Sequence, residues 1–247
     1  MTTARISTMP YETEYQGLKI KAASNLHAEC MERIRRLGLR PGTRILDVGA
    51  GEGALSQRLI DAGFRVEAID RECDSFRAQA PCHACDLNAD FAAEWNERFA
   101  LGVAAEVIEH LRDPRHFIEN CLALLEPDGV LIVTSPNVES WISRIRFLRD
   151  GRFLWFEESD YKASGHLTPI FSWQIAQICH ELGARLVEVG HTQDRHLRTC
   201  LGSRVTRMLT NKTFYMAVLY PFMRGRKHGE IHIYVIQKRA PAIGGGL

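Results

Sequence analysis

No stretch of this 247-residue chain approaches the roughly 18 consecutive apolar residues that a membrane-spanning helix needs. Its first residues, MTTARISTMPYETEYQ, lack the apolar core of a secretory signal, so no export is expected. Charge of one sign is missing too. A formal balance of +1 excludes a globally basic or acidic partner surface. There is no internal repeat, and the one low-complexity stretch is the PAIGGGL tail. Cysteines are few, odd in number and scattered (Cys30, Cys73, Cys82, Cys85, Cys121, Cys179 and Cys200), which is no disulfide framework; reduced thiols in a cytosolic protein are expected. The C-x-x-C at Cys82–Cys85 has no second pair at zinc-binding spacing, so buried small thiols are expected there.

What is present begins at Ile45-Leu46-Asp47-Val48-Gly49-Ala50-Gly51-Glu52-Gly53, where an apolar strand runs into an acid and three alternating glycines. Glycines allow tight turns and close approach of a ligand to main chain, and the following helix offers unpaired N–H groups. From there strand and helix patterns alternate. Strands are predicted over 43–48, 65–69, 83–85, 99–104, 129–134, 185–189 and 230–238, with helices over 53–62 and 117–125 and a helical pattern around 26–37. Such alternation implies a doubly wound α/β sheet, Rossmann-like and mostly parallel, closing on an antiparallel last strand. Residues 1–40 read as a helical cap across the mouth, and 41–247 as the main domain. Insertions at 138–169 and 191–228 read as substrate-capping elements.

Ligands of such sheets sit at the carboxyl ends of the strands. Asp47, Asp70, Asp86 and Glu106 all fall there. Gly49–Ala54 also satisfies the dinucleotide fingerprint, so an NAD(P)-binding oxidoreductase is an alternative. Against it, Asp47 would repel a pyrophosphate and suits a cationic ligand, and no second, substrate-binding domain is visible.

The runs ILDVGAGEGALSQRLIDAGFRVEAID, CDLN, AAEVIEHLRDP and LLEPDGVLIVTSPN, followed by a terminal strand, together resemble the class I S-adenosylmethionine-dependent methyltransferases. The resemblance is close over about residues 42–137 and looser over 170–238. It implies that Asp47, Gly49 and Gly51 line the methionine and sulfonium end of S-adenosyl-L-methionine. Asp70 would hold the ribose, Asp86 and Leu87 would flank the adenine, and Ala105 with Glu106 would close the pocket floor.

On a helical start, Glu106, Glu109 and His110 lie on one face and can converge. The E-x-x-E-H run followed by Gly165-His166 is similar to the ubiquinone-pathway O-methyltransferases and the small-RNA 2′-O-methyltransferases, which bind a divalent cation. The resemblance implies Mg2+ or another divalent cation on Glu106, Glu109, His110 and His166. The other reading is metal-free, with Glu109, His110 and His166 acting as catalytic orienting groups or bases.

The 191–228 insertion carries eight Lys/Arg against one acid, Asp194, interleaved with the apolar run Phe214–Met223. It reads as a cap over the mouth, or as peripheral membrane contact through 195–228 toward a lipid-linked acceptor. The expectation is O-methylation of a small-molecule, glycan or lipid-linked substrate by a cytoplasmic or membrane-associated enzyme. An RNA 2′-O-methyltransferase is an alternative, ranked lower because no RNA-binding module is visible.

Overall fold

The computed structural model describes residues 12–93, 95–192, 218 and 220–240. The elements in chain order are β1 (Glu14–Tyr15), β2 (Leu18–Lys19), α1 (Leu26–Arg36), β3 (Arg44–Val48), α2 (Ala54–Asp61), β4 (Arg65–Asp70), β5 (Cys82–Ala84) and β6 (Phe99–Ala104). Then come α3 (Pro114–Ala123), β7 (Leu125–Pro136), α4 (Trp141–Asp150), α5 (Glu158–Ser164), α6 (Ser172–Glu181), β8 (Arg185–His191) and β9 (Ile231–Gln237). β1 and β2 form a small antiparallel hairpin. The remaining seven strands form one sheet in the order β5-β4-β3-β6-β7-β9-β8. All of its pairings are parallel except those of β9, which runs against both neighbours, as the sequence implies.

Strand order reverses at β3, which pairs with β4 on one side and β6 on the other. Ligands of open α/β sheets sit in the crevice at such a switch point. Side chains alternate across the sheet by the two-residue period of a strand. Leu46, Leu131 and Val133 therefore join Phe117, Ile118, Ile175 and Tyr234 on one face. Ile45, Val103 and Ile132 join Leu26, Cys30 and Ile34 of α1 and Leu59 of α2 on the other. Each such buried aliphatic side chain stabilises the fold by about 1.5–3 kcal/mol. Helix α1 is thus packed against the sheet, while the segment before it, Lys19–Ala23, borders the central cavity.

Two elements start well before their expected first residues. Helix α3 begins at Pro114, because the Asp113 carboxylate accepts from the Arg115 and His116 N–H groups (2.9 and 3.0 Å) and Pro114 needs no donor at the first position. Strand β7 begins at Leu125, four residues before the expected start at 129. A register shift between Phe99 and Leu101 and a left-handed Asp128 (φ 61°) absorb the irregularity.

The thiol expectation is corrected at one pair: Cys73 and Cys82 form a disulfide that bridges the loop after β4 to the start of β5. Cys85 is partly exposed, while Cys30, Cys121 and Cys179 are buried free thiols. All of 193–217, and with it most of the segment expected to touch a membrane, lies outside the described residues. Among the described residues, no helix is long and apolar enough to cross a membrane.

Candidate active site

The glycine loop sits where β3 ends. Gly49 has φ 73°, and a Cβ there would lie 2.5 Å from Val107 Cγ2, so position 49 admits no side chain. The Gly51 N–H, also on a left-handed residue, donates to Asp70 Oδ2 at 2.8 Å. The Glu72 N–H donates to the other oxygen, Oδ1, at 3.2 Å. Asp70 is thereby fixed at the end of β4, next to the loop.

Asp47 is placed differently. It is only 2% exposed, and its Oδ2 accepts from Ser56 Oγ at 2.6 Å. Burial pushes its carboxyl up to about 6, against the lowering effect of Ser56. With His27, Asp47 borders a cavity of about 30 Å³ behind the loop. His27 was not singled out from the sequence, where it reads as one more residue on an amphipathic helix. Its burial, then the nearby Arg58 charge, lower its imidazole to about 4.

In front of the loop lies a cavity of about 990 Å³, at the upper end of the roughly 300–1,000 Å³ of small-molecule sites. Gly49, Gly51, Asp70, Asp86, Leu87, Ala105 and Glu106 all border it, as do His110 and His166. Asp86 accepts from the Asn88 backbone and side-chain N–H groups (2.9 and 3.2 Å), which hold its carboxyl below the ordinary range. Lys19, Lys21 and Trp155 complete the wall without a motif that marks them in the sequence.

The Glu106–His110 run does not start a regular helix. Glu106 has φ 56°, with its N–H donating to Thr134 Oγ1 at 2.9 Å, and only Ile108–His110 form a short 3-10 turn. The helical spacing therefore fails, and Glu106 turns its carboxylate to the Ala23 N–H. Glu109, His110 and His166 do converge: one ligating atom from each lies within 4.8 Å of the others. Glu106 stands outside that group. Chain segments 58 and 59 residues apart are joined here through the Glu109 carbonyl, which accepts from the Leu167 and Thr168 N–H groups (both 2.9 Å). The Thr168 hydroxyl donates to the Leu111 carbonyl at 2.6 Å.

Glu109 is fully buried, and neither carboxylate oxygen has a hydrogen-bond partner. Burial, then the Glu106 charge, push its carboxyl well above the ordinary range. The His110 and His166 rings meet edge to face, 5.0 Å between centroids. Burial, then His166, lower the His110 imidazole. A buried carboxylate without partners is costly. An oxygen and two imidazole nitrogens are donors that suit a divalent metal ion.

A methyltransferase-domain family model matches residues 22–189. The chain is 33% identical over 106 residues to a ubiquinone biosynthesis O-methyltransferase of a Caulobacter species, covering 39% of this chain and 42% of that one. It is 28% identical over 164 residues to the enzyme of that name from Rhodopseudomonas palustris, covering 62% and 63%. The chain thus spans less than two thirds of the length of either relative. Among solved structures, a SAM-dependent methyltransferase from Archaeoglobus fulgidus superposes with a TM-score of 0.59 at 17% identity, covering 86% of this chain and 94% of that one. Phosphoethanolamine N-methyltransferase 2 of Haemonchus contortus superposes at 0.53 and 16% identity, covering 86% and 52%. None of these likenesses favours an NAD(P)-binding oxidoreductase or an RNA methyltransferase. Sheet order, glycine loop and a family match over more than half of the residues agree: the chain belongs to the methyltransferase-domain family and has the class I S-adenosylmethionine-dependent fold.

Proposed function

We propose that this protein transfers a methyl group from S-adenosylmethionine to a hydroxyl oxygen of a small or lipid-linked acceptor, with Glu109, His110 and His166 as the polar group facing that hydroxyl. The observation that carries the reading is the buried, partnerless Glu109 carboxylate beside His110 and His166, two histidines that border the same cavity as the glycine loop and Asp70. The O-methyltransferase names of the relatives support oxygen as the acceptor atom.

S-adenosylmethionine, when bound, supplies an electrophilic methyl on a sulfonium leaving group. The chain's part is to bind, align and take a proton. Asp70 offers two carboxylate oxygens to ribose hydroxyls, Gly49 and Gly51 allow close approach of backbone, and Leu87 offers an apolar surface to the base. Alignment of the attacking oxygen contributes roughly 7–11 kcal/mol when the geometry is good. The acceptor's O–H proton passes to Glu109 or to a neutral histidine as the oxygen–carbon bond forms, so a neutral ether and a protonated base result.

Glu109, His110 and His166 also fit a divalent cation, which would give an unsatisfied Glu109 carboxylate oxygen a partner. A cation there would lower the pKa of a coordinated hydroxyl.

Calorimetry tests the donor half: S-adenosylhomocysteine is expected to bind and NADH is not. For the acceptor half, methyl-tritiated donor is incubated with a catechol, with and without chelator. Label is expected in an ether product of the wild type and is lost in Glu109→Gln. Equal labelling in that variant would overturn the role of the group.

A further inference from the structure

Trp155 occupies a backbone position unsuited to its side chain. The Phe156 N–H donates to the Phe153 carbonyl at 3.2 Å, closing a turn in which Trp155 follows Leu154. Trp155 has φ 70°, whereas Leu154 is not left-handed. That is the pattern of a type II turn, whose third position normally takes glycine. A bulky residue in the left-handed region is an outlier that persists only when its surroundings over-determine it.

The surroundings do so on two sides. The Leu154 N–H donates to the hydroxyl of the buried Ser143 at 3.1 Å, which ties the turn to α4. The Trp155 carbonyl lies 2.8 Å from His166 Nδ1. A carbonyl oxygen only accepts, so the hydrogen of this bond belongs to His166 Nδ1. Phe156 flanks the same ring, with centroids 5.6 Å apart.

We propose that Trp155 is a positioning residue. Its left-handed turn aims the main-chain carbonyl at His166, holds that ring as the Nδ1–H tautomer, and leaves Nε2 as the nitrogen available to Glu109 and His110. A carbonyl behind a histidine orients the ring and makes its other nitrogen a better base or ligand. The functional weight of this proposal rests on the reading of His166 as part of the reacting group; the tautomer itself does not.

The role belongs to the backbone, which separates it from simple packing of the indole. Glycine keeps the left-handed turn without strain, whereas a β-branched residue is forced out of it. Histidine-selective 15N labelling and long-range 1H–15N correlation on the metal-free protein, at a pH where imidazoles are neutral, read the tautomer directly; His166→Gln assigns the signals. The wild type and Trp155→Gly are expected to show the Nδ1–H signature at His166, and Trp155→Val to lose it. An Nε2–H signature in the wild type overturns the proposal, as does the same tautomer in both Trp155 variants. Calorimetry with S-adenosylhomocysteine runs alongside. Its failure in the wild type would refute the transferase reading and leave the tautomer result standing.

Discussion

The Gly51 N–H and the Asp70 carboxylate meet at 2.8 Å, so the turn after β3 and the end of β4 are tied before any ligand arrives. A carboxylate already oriented by a backbone donor loses less freedom on binding a ribose. Asp70→Ala is therefore expected to weaken S-adenosylhomocysteine binding by about 10- to 100-fold, the range of about 1.5–3 kcal/mol for hydrogen bonds to a charged group. Asp70→Asn should lose less. Calorimetric affinities within twofold of wild type for both would remove Asp70 from the site.

Asp47 makes a prediction about pH. Its carboxyl is pushed from 3.8 up to about 6 in the folded protein. Between those values the folded state keeps a proton that the unfolded chain releases, so stability falls as pH rises through that window. The loss is on the order of 3 kcal/mol at pH 7. Asp47→Asn keeps an acceptor for Ser56 and removes the buried charge. Its melting temperature should change less than that of wild type between pH 4 and 6, and should exceed it at pH 7. Parallel pH profiles for the two proteins would contradict this account.

Metal binding has a readout independent of activity. An ion that binds only the folded state at 100 times its dissociation constant adds about 2.7 kcal/mol of stability, roughly a 5–10 °C rise in melting temperature for a chain of this size. Mn2+ or Co2+ should produce such a rise in wild type and none in His166→Ala. Flat melting curves across Mg2+, Mn2+, Co2+ and Zn2+ would dismiss the cation.

The Cys73–Cys82 disulfide closes a loop that lies beside the site and packs on the glycine loop and α2. Arg71, Glu72 and Ser75 border the cavity, while the Arg77 N–H donates to the Glu52 carbonyl at 3.0 Å and the Gln79 N–H to Gln57 Oε1 at 3.1 Å. A disulfide around so short a loop is worth roughly 2–3 kcal/mol in the chain-entropy account. Dithiothreitol or Cys73→Ser should lower the melting temperature and weaken S-adenosylhomocysteine binding. Thiol titration of the denatured, unreduced protein is expected to give no more than five free thiols of the seven cysteines, and seven would disprove the bridge.

The glycine loop and Asp70, which border the cavity, were legible because they are local. Gly49, Gly51 and Asp70 stand at strand ends, and strand ends follow from apolar runs and glycine punctuation. The same reasoning misread Glu106. Its spacing from Glu109 and His110 suits a helix, but the backbone at Glu106 is left-handed and its carboxylate accepts from the Ala23 N–H instead. The pairing of Cys73 with Cys82 escaped for a similar reason. Cysteine counts carry compartment statistics, whereas a bond requires that the return from β4 to β5 bring two sulfurs together.

The sequence by itself determined the layered α/β architecture and the acids at the strand ends, because hydrophobic period and turn chemistry act over a few residues. Only the tertiary structure decided which polar groups meet. Glu109 and His166 are joined by the Glu109 carbonyl accepting from Leu167 and Thr168. Trp155 reaches His166 through a carbonyl whose direction depends on one dihedral angle. Contacts between distant segments depend on packing and backbone direction, and no local pattern of residue types encodes either.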